Sequence, residues 1–142
     1  MDVLLVEDSP GDVRLTREAF RDVNEAVRVH VAPDGIAAMA FLKREGPHAQ
    51  APRPNLILLD LNLPKMNGHD VLARVKGDEQ LKSIPTVIMT TSDWETDILT
   101  SHRLLVNCYL QKPRQFDAFK SLVQHINEFW LTNGQSPPIP NH

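Results

Sequence analysis

Leu56-Ile57-Leu58-Leu59 is a run of four apolar residues that ends on a carboxylate, Asp60, with Asn55 before it and Pro64 closing the segment. A short apolar run between a loop-forming residue and a proline reads as a strand buried on both faces. Such strands belong to parallel sheets covered by helices, where ligands bind beyond the carboxyl ends of the strands. Asp60 therefore falls where an open α/β sheet does its chemistry. A carboxylate withdrawn from water without partners is costly, so Asp60 is expected to be paired, metal-bound or at the rim. An acidic residue that merely starts a turn would fit this one stretch equally well, and the rest of the chain has to decide.

The pattern recurs on both sides of it. Val3-Leu4-Leu5-Val6 is a second apolar run ending on acids, Glu7 and Asp8, and Ser9-Pro10-Gly11-Asp12 supplies helix-start chemistry. Val13, Ala19, Phe20 and Val23 follow at helical intervals, with Arg14, Arg17, Glu18 and Arg21 on the wet side. Val27, Val29 and Val31 alternate with Arg28 and His30, as in a strand near the sheet's edge. Asp34 can cap a helix whose Ile36, Ala37, Met39, Ala40, Phe41 and Leu42 offer a broad apolar face. Residues 45–54 contain Gly46, Pro47, Pro52 and Pro54 and are expected to form a long loop without chemistry of its own.

Beyond Asp60, Gly68 to Val75 reads as a short helix with Val71, Leu72 and Val75 inward, its end weakened by Gly77 and Asp78. Pro85 to Thr90 is a fourth strand, followed by Thr91, Ser92 and a cap at Asp93. A helix over about residues 95–105 carries Ile98, Leu99 and Leu105. Cys108-Tyr109-Leu110 is a short fifth strand, ending in Gln111-Lys112-Pro113. The last helix is expected from about Phe116 to Leu131, with Phe119, Leu122, Val123, Ile126, Phe129 and Trp130 at i, i+3, i+4, i+7 spacing. Five β-α alternations argue a doubly wound parallel sheet in one domain over residues 1–131, with a disordered tail at 132–142. Right-handed crossovers then gather every strand's carboxyl end on one rim.

Bulk properties narrow the function. A net charge of −3 with no basic cluster gives no case for nucleic acid. No apolar run is long enough to span a bilayer, so no membrane role is expected. The chain enters its first strand without a basic n-region or a long h-region, so no secretion signal is expected. Cys108 is the only cysteine, which suits the cytoplasm. The six histidines, at 30, 48, 69, 102, 125 and 142, do not pair at ligand spacing and read as ordinary surface or core residues.

On the rim this fold collects Glu7 and Asp8 from the first strand, Asp60 and Asn62 from the third, Thr90 from the fourth and Lys112 from the fifth. Three clustered carboxylates repel one another unless a cation joins them. An oxygen-rich set without thiol favours magnesium over zinc. Lys112 adds a point charge suited to a phosphoryl oxygen. A carboxylate beside magnesium, a lysine and a hydroxyl is equipped to accept a phosphoryl group.

These residues resemble the receiver (response regulator) domain, the CheY-like phosphoacceptor half of two-component signalling. Glu7-Asp8 follow the first strand and Asp60 ends the third. Thr90 comes thirty residues after Asp60, and Lys112-Pro113 fifty-two after it, with Tyr109 three before the lysine. Pro64 and Gly68, four and eight residues after Asp60, fit the family's loop. The resemblance covers about residues 2–131 and implies the flavodoxin/CheY-like sheet with strand order 2-1-3-4-5. It implies that Asp60 is phosphorylated and that Glu7, Asp8, Asp60 and the backbone carbonyl of Asn62 hold Mg2+. Lys112 would bind the phosphoryl group, positioned by a cis Lys112-Pro113 bond, while Thr90 and Tyr109 would form the two-state switch. Thr91 departs from the family's usual small residue at that place, which bears on water and donor access to the phosphate.

Leu58 to Lys65, Asn107 to Leu110 and Phe129-Trp130 are similar to the single-domain regulators paired with phytochrome-type histidine kinases. That likeness implies a histidine kinase as donor and a downstream protein or phosphotransfer partner. It also implies a possible homodimer through the fourth helix, fifth strand and fifth helix, with Tyr109, Phe129 and Trp130 as interface residues. Without an output domain, such a protein signals by changing partner affinity; it is a phosphoacceptor, at most catalysing its own phosphorylation and dephosphorylation.

Plainer readings stand beside these. Lys112 could be a strand-end surface lysine, Thr90 a strand residue, and Tyr109 and Cys108 core. Phe129 and Trp130 could be core too, although adjacent aromatics on a helix cannot point the same way. An aspartyl-nucleophile magnesium phosphatase of the haloacid dehalogenase type normally carries its nucleophile on the first strand, with a second aspartate two residues on. Here the candidate ends the third strand, and position 62 is asparagine. A flavodoxin-like redox carrier needs a phosphate-cradling loop where Glu7-Asp8 would repel phosphate. A pseudo-receiver scaffold would keep the same residues without being phosphorylated.

Overall fold

In the computed structural model the described residues are 1–60, 68–90, 108–111 and 115–128. Their strands are β1 (Asp2–Val6), β2 (Arg28–Ala32), β3 (Leu56–Asp60), β4 (Thr86–Thr90) and β5 (Cys108–Gln111). All neighbours pair in parallel, in the order β2-β1-β3-β4-β5. This is the doubly wound topology expected from the alternation. β1 and β3 lie at its centre, and every residue of both is buried, as their unbroken apolar runs require.

The period-2 geometry of a strand divides those runs between two cores. On one face Leu4, Val6, Ile57, Leu59 and Ile88 pack against α2 (Gly35–Leu42) and α3 (Gly68–Gly77). On the other, Val3, Leu5, Leu56, Leu58, Val87 and Met89 pack against α1 (Pro10–Val23) and α4 (Phe116–Ile126). Each fully buried aliphatic or phenyl side chain contributes about 1.5–3 kcal/mol of transfer free energy, set against the entropy lost on ordering.

Local signals place the helices. Ser9 caps α1, its side chain accepting from the Asp12 N–H, with Pro10 at the first helical position. Asp34 caps α2 by accepting from the Ala37 N–H at 2.8 Å. Val71, Leu72 and Val75 of α3 are buried as expected, and the helix runs two residues further, to Gly77. Phe119, Val123 and Ile126 of α4 are buried and Leu122 is partly so. The 45–54 connection contains a 3-10 turn at Gly46–His48 where an unbroken loop was expected; Gly46, at φ 57°, takes a left-handed conformation that costs glycine nothing. The expected cap at Asp93, the 95–105 helix, residues 129–131 of the expected last helix and the 132–142 tail lie outside the described residues; within them α4 ends at Ile126, with Asn127 as its C-cap. No described helix is long and apolar enough to cross a membrane.

α2 departs from expectation in its phase. Ile36, part of the apolar face that the sequence offers, is 55% exposed, while Ala38, outside that face, is fully buried. The segment Gly35–Leu42 contains no polar residue, so its sequence carries no amphipathic signal to choose a face. Contact with the sheet chooses instead.

At the amino ends of the strands, Asp2 ties three of them together. Its N–H donates to Asn55 Oδ1 at 2.8 Å, and the Asn55 N–H donates to the Asp2 carbonyl at 2.7 Å. Its carboxylate accepts from Arg28, through Nε at 3.0 Å and Nη2 at 3.1 Å, and from His30 Nε2 at 2.9 Å. Burial alone would raise the Asp2 carboxyl; the hydrogen bonds and charges of His30 and Arg28 outweigh it, leaving the group below its ordinary 3.8. The folded state therefore holds this proton less tightly than the unfolded chain. The stabilisation is present in full above the unfolded value and is lost as pH falls through the lower, folded one. Asp2→Asn should cost about 1–2 kcal/mol in urea unfolding near neutral pH, the scale of a hydrogen bond to a charged group. The gap to the wild type should close as pH drops below 3.8.

Candidate functional site

β1 and β3 are adjacent, parallel and in register, with Val6 opposite Leu59. That register carries Glu7 and Asp60, one residue further along each chain, to the same edge of the sheet. Glu7 and Asp60 are buried at 2% and 6% exposure, and Asp8 is exposed. The Glu7 N–H donates to the Ala32 carbonyl at 3.0 Å, fixing the strand end against β2. Glu7 Oε2 accepts from the Ser9 N–H at 3.2 Å, and the hydroxyl of the same serine caps α1. The sequence fold class thus delivers three acids, from two non-contiguous segments, to one place.

One carboxylate oxygen from each of Glu7, Asp8 and Asp60 lies within 4.8 Å of the others. Like charges that close repel one another. A divalent cation removes that repulsion, and the donor set fits a hard one: oxygen only, with no thiol or imidazole in the cluster. Two or three carboxylates leave positions for water and substrate oxygens.

Thr90, the last residue of β4, pairs with Gln111 of β5, which places its backbone at the same carboxyl edge. Tyr109 lies one strand residue further back than Leu110, opposite Ile88. Asn62, Thr91, Lys112, the Lys112-Pro113 bond, Phe129 and Trp130 lie outside the described residues.

Two features were not read from the sequence. The Ser9 amide on Glu7 depends on the conformation of a turn, which no residue pattern specifies. The second is a groove of about 500 Å3 that opens beside Glu7 and Asp8, with Val13, Val31, Pro10 and Pro33 on its apolar side and Arg14, Arg17, Glu18 and Arg21 along α1. The arginines were visible only as a wet helix face, because the far wall comes from β2. Arg14 is held by Glu18 one turn on, at 3.2 Å, an exposed pair that adds little stability.

The response regulator receiver domain model matches residues 3–124. The chain is a response regulator receiver. Among known proteins it is similar to "Response regulator Rcp1" of Synechocystis sp., 49% identical over 129 residues, spanning 91% of this chain and 88% of that protein. The crystal structure of the Mn2+-bound form of Rcp1 superposes with a TM-score of 0.84 at 47% identity, covering 96% of this receiver and 98% of that chain. The phosphorylated cyanobacterial phytochrome response regulator RcpA superposes with a TM-score of 0.86 at 44% identity, covering 99% and 98%. The receiver's CheY-like fold and its kinship with phytochrome-associated regulators are thus established by sequence and structure alike.

Proposed function

We propose that this receiver accepts a phosphoryl group on Asp60 from the phosphohistidine of a histidine kinase, of the phytochrome-associated type, in a magnesium-dependent reaction. The observation that carries the reading is the approach of Glu7, Asp8 and Asp60 within 4.8 Å. It is supported by two relatives, one solved with Mn2+ and one phosphorylated. When bound, the cation would neutralise the phosphoryl oxygens and the acids that otherwise repel them. Glu7, Asp8, Asp60 and the carbonyl of Asn62 are the residues to hold it.

Asp60 then supplies the nucleophile. One carboxylate oxygen forms a bond to phosphorus as the phosphorus–nitrogen bond of the donor breaks, the imidazole departs, and an acyl phosphate remains. Lys112 pairs with a phosphoryl oxygen and the Thr90 hydroxyl moves toward another, with Tyr109 following inward. That shift couples the charge at Asp60 to the surface around β4 and β5. A donor domain has to reach this edge over the rim, and the groove beside α1 offers it an apolar floor bordered by both arginines and acids. Signalling proceeds by a change in affinity for a downstream protein or phosphotransfer partner.

Intact mass spectrometry tests the reading. Incubation of the wild type with acetyl phosphate and magnesium should add about 80 Da, one phosphate, and chelation of the metal should abolish the gain. No adduct from acetyl phosphate or from a phosphorylated histidine kinase would make the chain a pseudo-receiver scaffold.

A further inference from the structure

Ser9 stands between the acidic cluster and α1 and binds in both directions. Its N–H donates to Glu7 Oε2 at 3.2 Å. Its Oγ accepts from the Asp12 N–H at 3.4 Å, and its carbonyl accepts from the Val13 N–H at 3.0 Å, closing the first turn of α1. The backbone of Ser9 is extended, at φ −84° and ψ 114°, the conformation an N-cap requires and one that Pro10 enforces on the residue before it. The amide that meets Glu7 is therefore aimed by the cap.

We propose that Ser9 is a positioning residue for the cation site: by capping α1 it holds its own amide against Glu7 and so presents that carboxylate to Asp8 and Asp60. The inference rests on the reading of these three acids as cation ligands. Glutamate is among the side chains that lose most rotamer freedom on ordering. With the Ser9 amide in place, part of that ordering is completed during folding and does not oppose ion binding. The Glu7 N–H, bonded to the Ala32 carbonyl at 3.0 Å, anchors the backbone end of the residue, and the Ser9 amide meets its carboxylate end.

Calorimetric titration of the full chain with MnCl2 decides the matter, with circular dichroism confirming that each variant is folded. Ser9→Ala should weaken Mn2+ binding about three- to tenfold, at or below the low end for loss of an outer-shell partner. Ser9→Asn, which keeps a capping oxygen, should stay within about twofold of the wild type. In a Glu7→Gln background, Ser9→Ala should change nothing further, because the route runs through Glu7. Unchanged affinity in Ser9→Ala, with Glu7→Gln weakened, would overturn the inference and leave the cation reading standing. The same loss from Ser9→Ala in the Glu7→Gln background would also overturn it, pointing to general loosening of the turn. Wild-type affinity in Glu7→Gln would remove the cation reading for Glu7 and the inference with it.

Discussion

Asp60→Asn is expected to leave the protein folded and to abolish phosphoryl transfer from every donor, with no gain of about 80 Da in intact mass where the wild type gains it. The carboxamide is nearly isosteric but lacks the anionic oxygen that attacks phosphorus, so the loss concerns chemistry rather than shape. Divalent-cation affinity should fall as well, because one of the three acids within 4.8 Å has become neutral. The pair of readouts is diagnostic: phosphate that persists in the variant would place the nucleophile elsewhere, and unchanged cation affinity would remove Asp60 from the ligand set.

Phe119→Ala should be among the most damaging truncations for stability, at about 3–5 kcal/mol in denaturant unfolding. Phe119 is 1% exposed and shares its core with Val3, Leu5, Phe20 and Val87, so its loss leaves a cavity between helix and sheet. Lys120 and Asp22 at 3.9 Å and the Asn24 Nδ2 to Asn127 Oδ1 bond at 2.9 Å lie at the surface of the same α1–α4 contact. Neither compensates for a lost phenyl ring. With total stabilities of about 5–15 kcal/mol for domains of this kind, the variant would sit near its unfolding threshold. Ile36→Ala is the matched control. At 55% exposure it should change stability by less than about 0.5 kcal/mol, although its sequence context is more apolar than that of Phe119. A large loss at Ile36 would mean that this face of α2 is covered.

The contrast between these two residues marks the reach of sequence reasoning. In α4, Asp117, Lys120, Gln124 and His125 interrupt the apolar positions, so the period shows which side faces in, and Phe119, Val123 and Ile126 are buried accordingly. In α2 nothing interrupts them, and the helix was legible as a helix while its orientation was not. The same distinction separates Glu7, Asp8 and Asp60 from Ser9. Apolar runs ending on acids are visible residue by residue, and the rule that parallel strands share a carboxyl rim is enough to bring those acids together. The Ser9 amide, the Asp2 clasp on Arg28, His30 and Asn55, and the groove between α1 and β2 join residues whose neighbours in sequence say nothing of one another.

Local chemistry thus settled which segments are strands and helices, where α1 and α2 begin, the order of the acids along the chain, and the class of chemistry they can perform. Those properties depend on hydrogen-bonding capacity, branching and charge within a few residues, which the chain carries whether or not it is folded. The phase of α2, the 4.8 Å approach of Glu7, Asp8 and Asp60 and the aim of the Glu7 carboxylate came from packing. They exist only after β1 and β3 have paired in register and the helices have closed over both faces, because distance between remote segments is a property of the folded chain alone.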